Sequence, residues 1–206
     1  MLEEQIPRII LASTSAYRKL LLTRLQIPFE TANPGIKELQ NPGEDPLQLS
    51  LRLACDKALA VSKTLPDLPP YIVIGSDQVA SMGSQMFRKP GNFEEAAKQL
   101  ASCSGNWVSF TTAISLIDQR GINKKAAECF RIKFRELDSN EIDEYLKIDE
   151  PFDCAGSIKI ESAGITLLDD TDGRDINTLL GLPLMLFQEL LVEYGYQLST
   201  LRKLSN

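Results

Sequence analysis

Arg8-Ile9-Ile10-Leu11-Ala12-Ser13-Thr14-Ser15-Ala16-Tyr17-Arg18 is the stretch that decides the fold class. Its first five residues are an apolar run rich in β-formers, and the next four are a small, hydroxyl-rich break. Over 17–26 the residues Tyr17, Leu21 and Leu25 then fall on one helical face. The order is strand, loop, helix. A strand that passes through small hydroxyl residues into a helix start leaves backbone N–H groups free at the positive end of the helix dipole. Arg18 adds a fork of donors suited to phosphate oxygens. The same Ser/Thr run serves equally as an ordinary helix cap, so on its own it assigns no function.

Working outward, the strand–helix alternation continues. Asp45-Pro46 pairs a capping residue with proline at the first helical position, and Leu47, Leu51, Ala54, Ala58 and Val61 follow at spacings of four and three. Leu65-Pro66-Asp67-Leu68-Pro69-Pro70 closes that helix as a loop. Tyr71-Ile72-Val73-Ile74-Gly75-Ser76 reads as a buried strand ending at Asp77-Gln78. Asn92 and Glu95 have capping-box spacing and open a helix to about residue 102, and Asp138 and Glu141 repeat the signal for a helix over 138–147. The β-rich runs 107–117 and 127–134 flank Asp118-Gln119-Arg120-Gly121 and predict an antiparallel hairpin with an irregular end. Ile158-Lys159-Ile160 and Ile165-Thr166-Leu167-Leu168 read as further strands. Phe187, Leu190, Leu191 and Tyr194 mark a last helix stopped by Gly195. There is no internal repeat. The pattern is α/β with a mixed, twisted sheet flanked by helices, and 206 residues suit a single domain with two lobes.

Composition narrows the chemistry. There are 22 Lys+Arg against 28 Asp+Glu, a net charge of −6, and no histidine. Without histidine, Ser-His-Asp and Cys-His arrangements, histidine-ligated zinc and an imidazole base are all excluded. Catalysis has to run on carboxylates, lysine, arginine, hydroxyls, thiols or an oxygen-held metal. The acidic balance argues against coating nucleic acid, but a local cationic cluster can still hold a small anion. Cys55, Cys103, Cys129 and Cys154 are scattered with no C-x-x-C pair, which points to reduced thiols packed mostly in or near the core. Met1-Leu2-Glu3-Glu4-Gln5 is acidic where a signal peptide would be basic, and no run is long enough for a membrane span. The expectation is a cytoplasmic protein with no membrane or nucleic-acid partner.

Several charged residues stand where chemistry could occur. Asp77 follows an apolar strand, and in open α/β sheets ligands sit beyond the carboxyl ends of strands. It could hold a divalent metal, activate water, or simply make a turn. Lys89 precedes Pro90-Gly91 and is held in a loop. Lys159, between two isoleucines, would point away from both in a strand. Lys57 lies on the long helix, where a solvated lysine is the commoner reading. Glu38, Glu44 and Asp45 lie in a Pro/Gly-rich loop from which an acid could reach a metal.

Taken in order, six blocks resemble the Maf family of nucleotide pyrophosphatases: Leu11-Ala12-Ser13-Thr14-Ser15-Ala16-Tyr17-Arg18, Arg52-Leu53-Ala54-Cys55-Asp56-Lys57-Ala58, Ile74-Gly75-Ser76-Asp77-Gln78, Lys89-Pro90, Cys154-Ala155-Gly156-Ser157 and Asn177-Thr178-Leu179-Leu180-Gly181-Leu182-Pro183. One departure is Ala16, where the family usually has proline. The resemblance implies a fold like the inosine-triphosphate pyrophosphatases, with two lobes around a cleft, and a house-cleaning role in nucleotide metabolism. It implies that Ser13, Arg18, Lys57 and Lys89 hold a triphosphate. Glu38 and Asp77 would bind Mg2+ or Mn2+ or orient water, with Asp77 as proton acceptor. Hydrolysis between the α- and β-phosphates needs charge neutralisation, a positioned water and a base, none of which requires histidine. A homodimer is a further implication.

Three positions separate the family's branches, and here they are Tyr17, Gln78 and Glu161. They resemble the branch that converts 7-methyl-GTP to 7-methyl-GMP and pyrophosphate, and differ from the dTTP/UTP branch. A carboxylate can accept from N1–H and the N2 amino group of guanine. An aromatic ring adds stacking and cation–π attraction to an N7-methylated, cationic base. Gln78 can donate and accept toward the base or sugar. The competing readings are a dTTP/UTP or other modified-nucleotide pyrophosphatase, and a nucleotide-binding regulator of cell division without catalysis.

Overall fold

The computed structural model describes residues 6–66 and 69–202. The acidic stretch 1–5 and the loop residues Asp67 and Leu68 lie outside the described residues. Among these residues one mixed sheet of seven strands runs β2 (Glu30–Ala32), β1 (Arg8–Ala12), β3 (Tyr71–Met82), β5 (Trp107–Asp118), β6 (Asn123–Phe134), β7 (Leu168–Asp172), with β4 (Gln85–Phe87) paired to β3. β1 (Arg8–Ala12) is parallel to β2 (Glu30–Ala32) and to the first part of β3 (Tyr71–Met82). β3 is antiparallel along most of its length to β5 (Trp107–Asp118), which pairs in turn with β6 (Asn123–Phe134) as the expected hairpin.

The apolar runs are continuous because the sheet is covered on both faces. Ile9, Leu11, Ile72 and Ile74 pack with Leu21 and Leu22 of α1 (Ala16–Arg24) and Phe187, Leu190 and Leu191 of α5 (Leu184–Glu193). The alternate residues Ile10, Ala12, Tyr71 and Val73 pack with Ala58 and Val61 of α2 (Pro46–Ser62). At the far end of the long strands a second core joins Phe110, Phe130, Ile132 and Phe134 to α3 (Phe93–Cys103) and α4 (Ser139–Asp149). The helices thus form two groups along one sheet.

The helix starts follow their caps. Ser15, Asp45, Asn92 and Asp138 each accept a backbone N–H of the first turn. The box at Asp138 closes with Glu141, but at Asn92 only half forms, because the Glu95 carboxylate pairs with Lys98 instead.

Four expectations require correction. Asp77 and Gln78 lie inside β3, which runs on to Met82 and takes up β4 (Gln85–Phe87) at Ala80. What ends near Asp77 is β1. Its last pair with β3 is Leu11 with Ile74, so residues just beyond face the site from a strand that has lost its parallel neighbour. Ile158-Lys159-Ile160 is not a strand. The segment turns onto α4, where Lys159 N donates to the Tyr145 hydroxyl and Ser162 and Gly164 N donate to Asp149, and a 3-10 helix over Ala163–Leu167 follows. The strand comes later, as the polar edge β7 (Leu168–Asp172), a composition that discourages edge-to-edge pairing. A further helix, α6 (Leu198–Arg202), buries Leu201. Of the thiols, all four free, Cys103 is buried, Cys55 and Cys154 are half-buried and Cys129 is exposed.

Candidate active site

Beyond the carboxyl end of β1 the chain turns through Ser13 into α1. Buried Ser13 accepts through Oγ from Ser15 N at 3.1 Å and from Arg18 Nη1 at 3.3 Å. Arg18 Nε donates to Gly181 O at 2.8 Å. Two protein acceptors therefore orient the guanidinium.

The nearest acids belong to a bridge centred on Lys57. Its Nζ lies 2.7 Å from Asp77 Oδ1 and 2.7 Å from Glu38 Oε1. Lys57 is only 4% exposed and Asp77 5%, so the lysine is no solvated helix residue. It reaches Asp77 because α2 lies directly on β3 at Gly75: a Cβ there would meet Ala54 O at 2.0 Å and Ala58 N at 2.8 Å. Glu38 is on the loop after β2, which Arg52 ties to α2 by donating to Leu39 O at 2.8 Å and pairing with Glu44. Glu44 is thereby committed to Arg52, and Asp45 to capping α2.

Electrostatics distinguish the two carboxyls. Burial pushes Asp77 above the ordinary carboxylate range, with the Lys57 ammonium and Arg18 opposing it. Burial also works on half-exposed Glu38, but the hydrogen bond and charge of Lys57, with Arg18 and Lys89, bring it below its ordinary value. Burial lowers the Arg18 pKa, and Asp77 and Glu38 counteract this.

These groups line a cavity of about 530 Å³. Its wall includes Ser13, Tyr17, Arg18, Glu38, Lys57, Asp77, Gln78, Lys89 and Glu161, whereas Glu44 and Asp45 are not part of it. Lys159 is elsewhere, its Nζ donating to Asp149 O at the end of α4. Tyr17 belongs to a second group, beside the Cys154 thiol, which donates to Asp153 Oδ1 at 3.4 Å, and near Glu161. Burial raises both the Tyr17 phenol and the Cys154 thiol, the latter to about 12, so both stay neutral and protonated. Phe110, Ile132, Ile158 and Ile160 give the wall an apolar portion, as a ring-binding pocket requires.

The cavity corrects the part expected of Gln78. Its amide nitrogen donates to Thr178 O at 2.7 Å, Leu179 O at 3.1 Å and Thr112 Oγ1 at 3.0 Å, so those protons are not free for a ligand. Two of these acceptors are carbonyls, which fixes the nitrogen toward them and leaves Oε1 as the atom able to serve a ligand. Three residues carry the site without having been singled out. Cys154 partners Tyr17, and Ser76 and Gly181 anchor Arg18's surroundings. Each lay inside a quoted motif, but a thiol, a hydroxyl and a glycine carry no local sign of their distant partners.

No cluster of three or more Cys, Asp or Glu able to hold a metal occurs among the described residues. The donor set still fits Mg2+, which binds through one or two carboxylates and completes its shell with water and substrate phosphate. Glu38 and Asp77 already flank one cation, the Lys57 ammonium.

A 7-methyl-GTP pyrophosphatase of Xanthomonas campestris pv. campestris is 45% identical over 193 residues, covering 94% of this chain and 99% of its own. One from Aromatoleum aromaticum is 45% identical, covering 91% and 96%. One from Alcanivorax borkumensis is 41% identical, covering 95% and 98%. Among solved structures, a HAM1 protein from Coxiella burnetii aligns with a TM-score of 0.43 and 13% identity, covering 63% of this chain and 73% of that one. The family profile described as Maf-like protein matches residues 8–194, the whole span from β1 through α5, and the chain belongs to that family.

Proposed function

We propose that this protein is a nucleotide pyrophosphatase that hydrolyses 7-methyl-GTP to 7-methyl-GMP and pyrophosphate. The observation that carries the reading is the bridge of Lys57 to Asp77 and Glu38, next to Arg18, in a cavity whose wall also holds Tyr17 and Glu161. Relatives bearing that activity in their names support the choice of substrate.

Arg18, Ser13 and Lys89 bind the triphosphate, with Arg18 already aimed by two acceptors. Asp77 accepts a proton from water, and burial makes it a stronger base than an exposed carboxylate. The water oxygen bonds to the α-phosphorus while the α–β bridging bond breaks, and pyrophosphate leaves with the electron pair. Lys57 keeps Asp77 ionised and in place and offsets charge on the phosphates. Glu38 and Asp77 are the residues that would hold Mg2+ or Mn2+, which supplies further neutralisation of phosphate charge when bound. At the other portion of the cavity, Tyr17 stacks on the base and Glu161 accepts from guanine N1–H and N2–H. Gln78 Oε1 is available as a further acceptor.

The whole chain acts in this reading as one catalytic domain, a cytoplasmic homodimer working on free nucleotide and not on nucleic acid or membrane. No helix among the described residues is long and apolar enough to cross a membrane. The test is turnover of 7-methyl-GTP, GTP, dTTP and UTP with Mg2+ or Mn2+, using Asp77→Asn as control. The highest kcat/KM is expected for 7-methyl-GTP. A preference for dTTP or UTP would overturn the substrate, and no pyrophosphate release from any of the four would overturn the enzyme.

A further inference from the structure

Arg18 takes its direction from a carbonyl 163 residues away, and that carbonyl sits in a turn with its own clamp. Asp175, 5% exposed, accepts through Oδ1 from Asn177 N at 2.9 Å and Asn177 Nδ2 at 2.7 Å. Through Oδ2 it accepts from Met185 N at 2.9 Å, in the first turn of α5, whose own N-cap is Pro183 and gives no side-chain cap. The two oxygens of one carboxylate thus tie together the two ends of the segment 177–185.

Between those ends the backbone is turned outward as acceptors. Thr178 O receives Gln78 and Thr112, Leu179 O receives Gln78, and Gly181 O receives Arg18, with Ser76 Oγ also 2.8 Å from it. Gly181 has φ +89°, the left-handed region that aims its carbonyl, and a Cβ there would lie 3.3 Å from Arg18 Nε. The side chains that meet these carbonyls therefore come from α1, β3 and β5.

We propose that Asp175 is a positioning residue for the polyphosphate subsite, acting through the Gly181 carbonyl on Arg18. The inference rests on the reading that Arg18 holds the substrate's phosphates. If the clamp is released, the Gly181 carbonyl moves away and the guanidinium is left beside Asp77 and Glu38, whose charges already act on it. Pairing with those acids would take Arg18 from the phosphates and neutralise the acids as well. Asn at 175 releases the clamp while keeping the size, because an amide has a single acceptor oxygen and presents N–H to one of the donors it faces.

The test is titration calorimetry with inorganic tripolyphosphate and, separately, with 7-methylguanosine, on wild type, Asp175→Asn, Arg18→Ala and the double variant. Asp175→Asn is expected to weaken tripolyphosphate about tenfold, the loss of one charge-assisted contact, and to leave 7-methylguanosine unchanged. In the Arg18→Ala background it should cost tripolyphosphate nothing further. Gly181→Ala, which acts on the same contact from the other side, should show the same selective loss and serves where Asp175→Asn does not fold. Equal weakening of both ligands, losses that add to those of Arg18→Ala, or undiminished tripolyphosphate binding in the variants would each overturn the proposal. Because tripolyphosphate binding needs no turnover, an enzyme inactive on all nucleotides would defeat the functional reading while this result still decided the role of Asp175.

Discussion

Lys57 holds two carboxyls whose pKa values are displaced in opposite directions. Asp77 has its pKa raised above its ordinary value of 3.8, so its contribution to stability is fully present below that value and is lost as pH rises through the raised one. Glu38 has its pKa lowered below 4.5, so its contribution is present above 4.5 and lost as pH falls through the lowered value. The Glu38 charge is itself one of the causes raising Asp77. Replacing Glu38 by Gln removes that repulsion, so the Asp77 titration should move to lower pH, as should the acidic limb of any residual activity. Carboxyl carbon NMR across the acid range reads the shift directly, and a midpoint that stayed or rose would contradict it. Little of this arrangement was legible in the residues alone. Asp77 drew notice as a polar residue after an apolar run, but its partner is 20 positions away on a helix where lysine is ordinarily solvated.

At the scale of elements, α2 and β3 meet through small residues. Ala54 and Ala58 have no exposed surface, and Gly75 admits the α2 backbone to a distance no Cβ would permit. Because the clashing atoms are backbone, side-chain rearrangement cannot relieve Gly75→Ala, and the helix has to shift from the strand. The expected cost is about 3 kcal/mol, read as a fall in urea midpoint. Since α2 carries Lys57 and β3 carries Asp77, the ion pair should separate and kcat should drop by more than tenfold; retained activity at lowered stability would show that the pair tolerates the shift. A glycine inside an apolar strand is a legible sign of such close approach. The α2 start was legible for a similar reason, since Asp45, Pro46 and Gln48 act within one turn. The run 158–160 misled because alternation of Ile with Lys also suits a chain packed irregularly on a helix. Its course is set by Asp149 and Tyr145, and nothing within 158–160 signals them. Asp175 escaped notice on the same ground: it acts on Met185, across a turn whose shape is visible only when folded.

For the molecule as a whole, the cavity lies where the two cores meet. Leu179 packs into the core formed with α3 and α4, Leu180 against the core formed with α1 and α5, and both line the cavity. Phe110 and Ile132 bring the core of α3 and α4 to the same wall. A nucleotide contacting both the Lys57 bridge and the Tyr17–Glu161 group would therefore bind segments from across the fold and not one loop. Ligand bound to the native state stabilises it by about 2.7 kcal/mol at a hundredfold excess over Kd. For a chain of this length that corresponds to a rise in Tm of roughly 5–10 °C. With the α,β-methylene analogue of 7-methyl-GTP, the melt should stay a single transition displaced upward. Amide exchange should slow in the first turn of α1, in β3 about Asp77, in the turn 177–183 and in the segment 153–161 together. The 153–161 segment is decisive, since it carries Cys154 and Glu161 and shares no element with the phosphate-binding residues. If protection were confined to α1, β3 and the 177–183 turn, the ligand would make no contact with the segment that carries Glu161, and recognition of the base by Glu161 would be wrong.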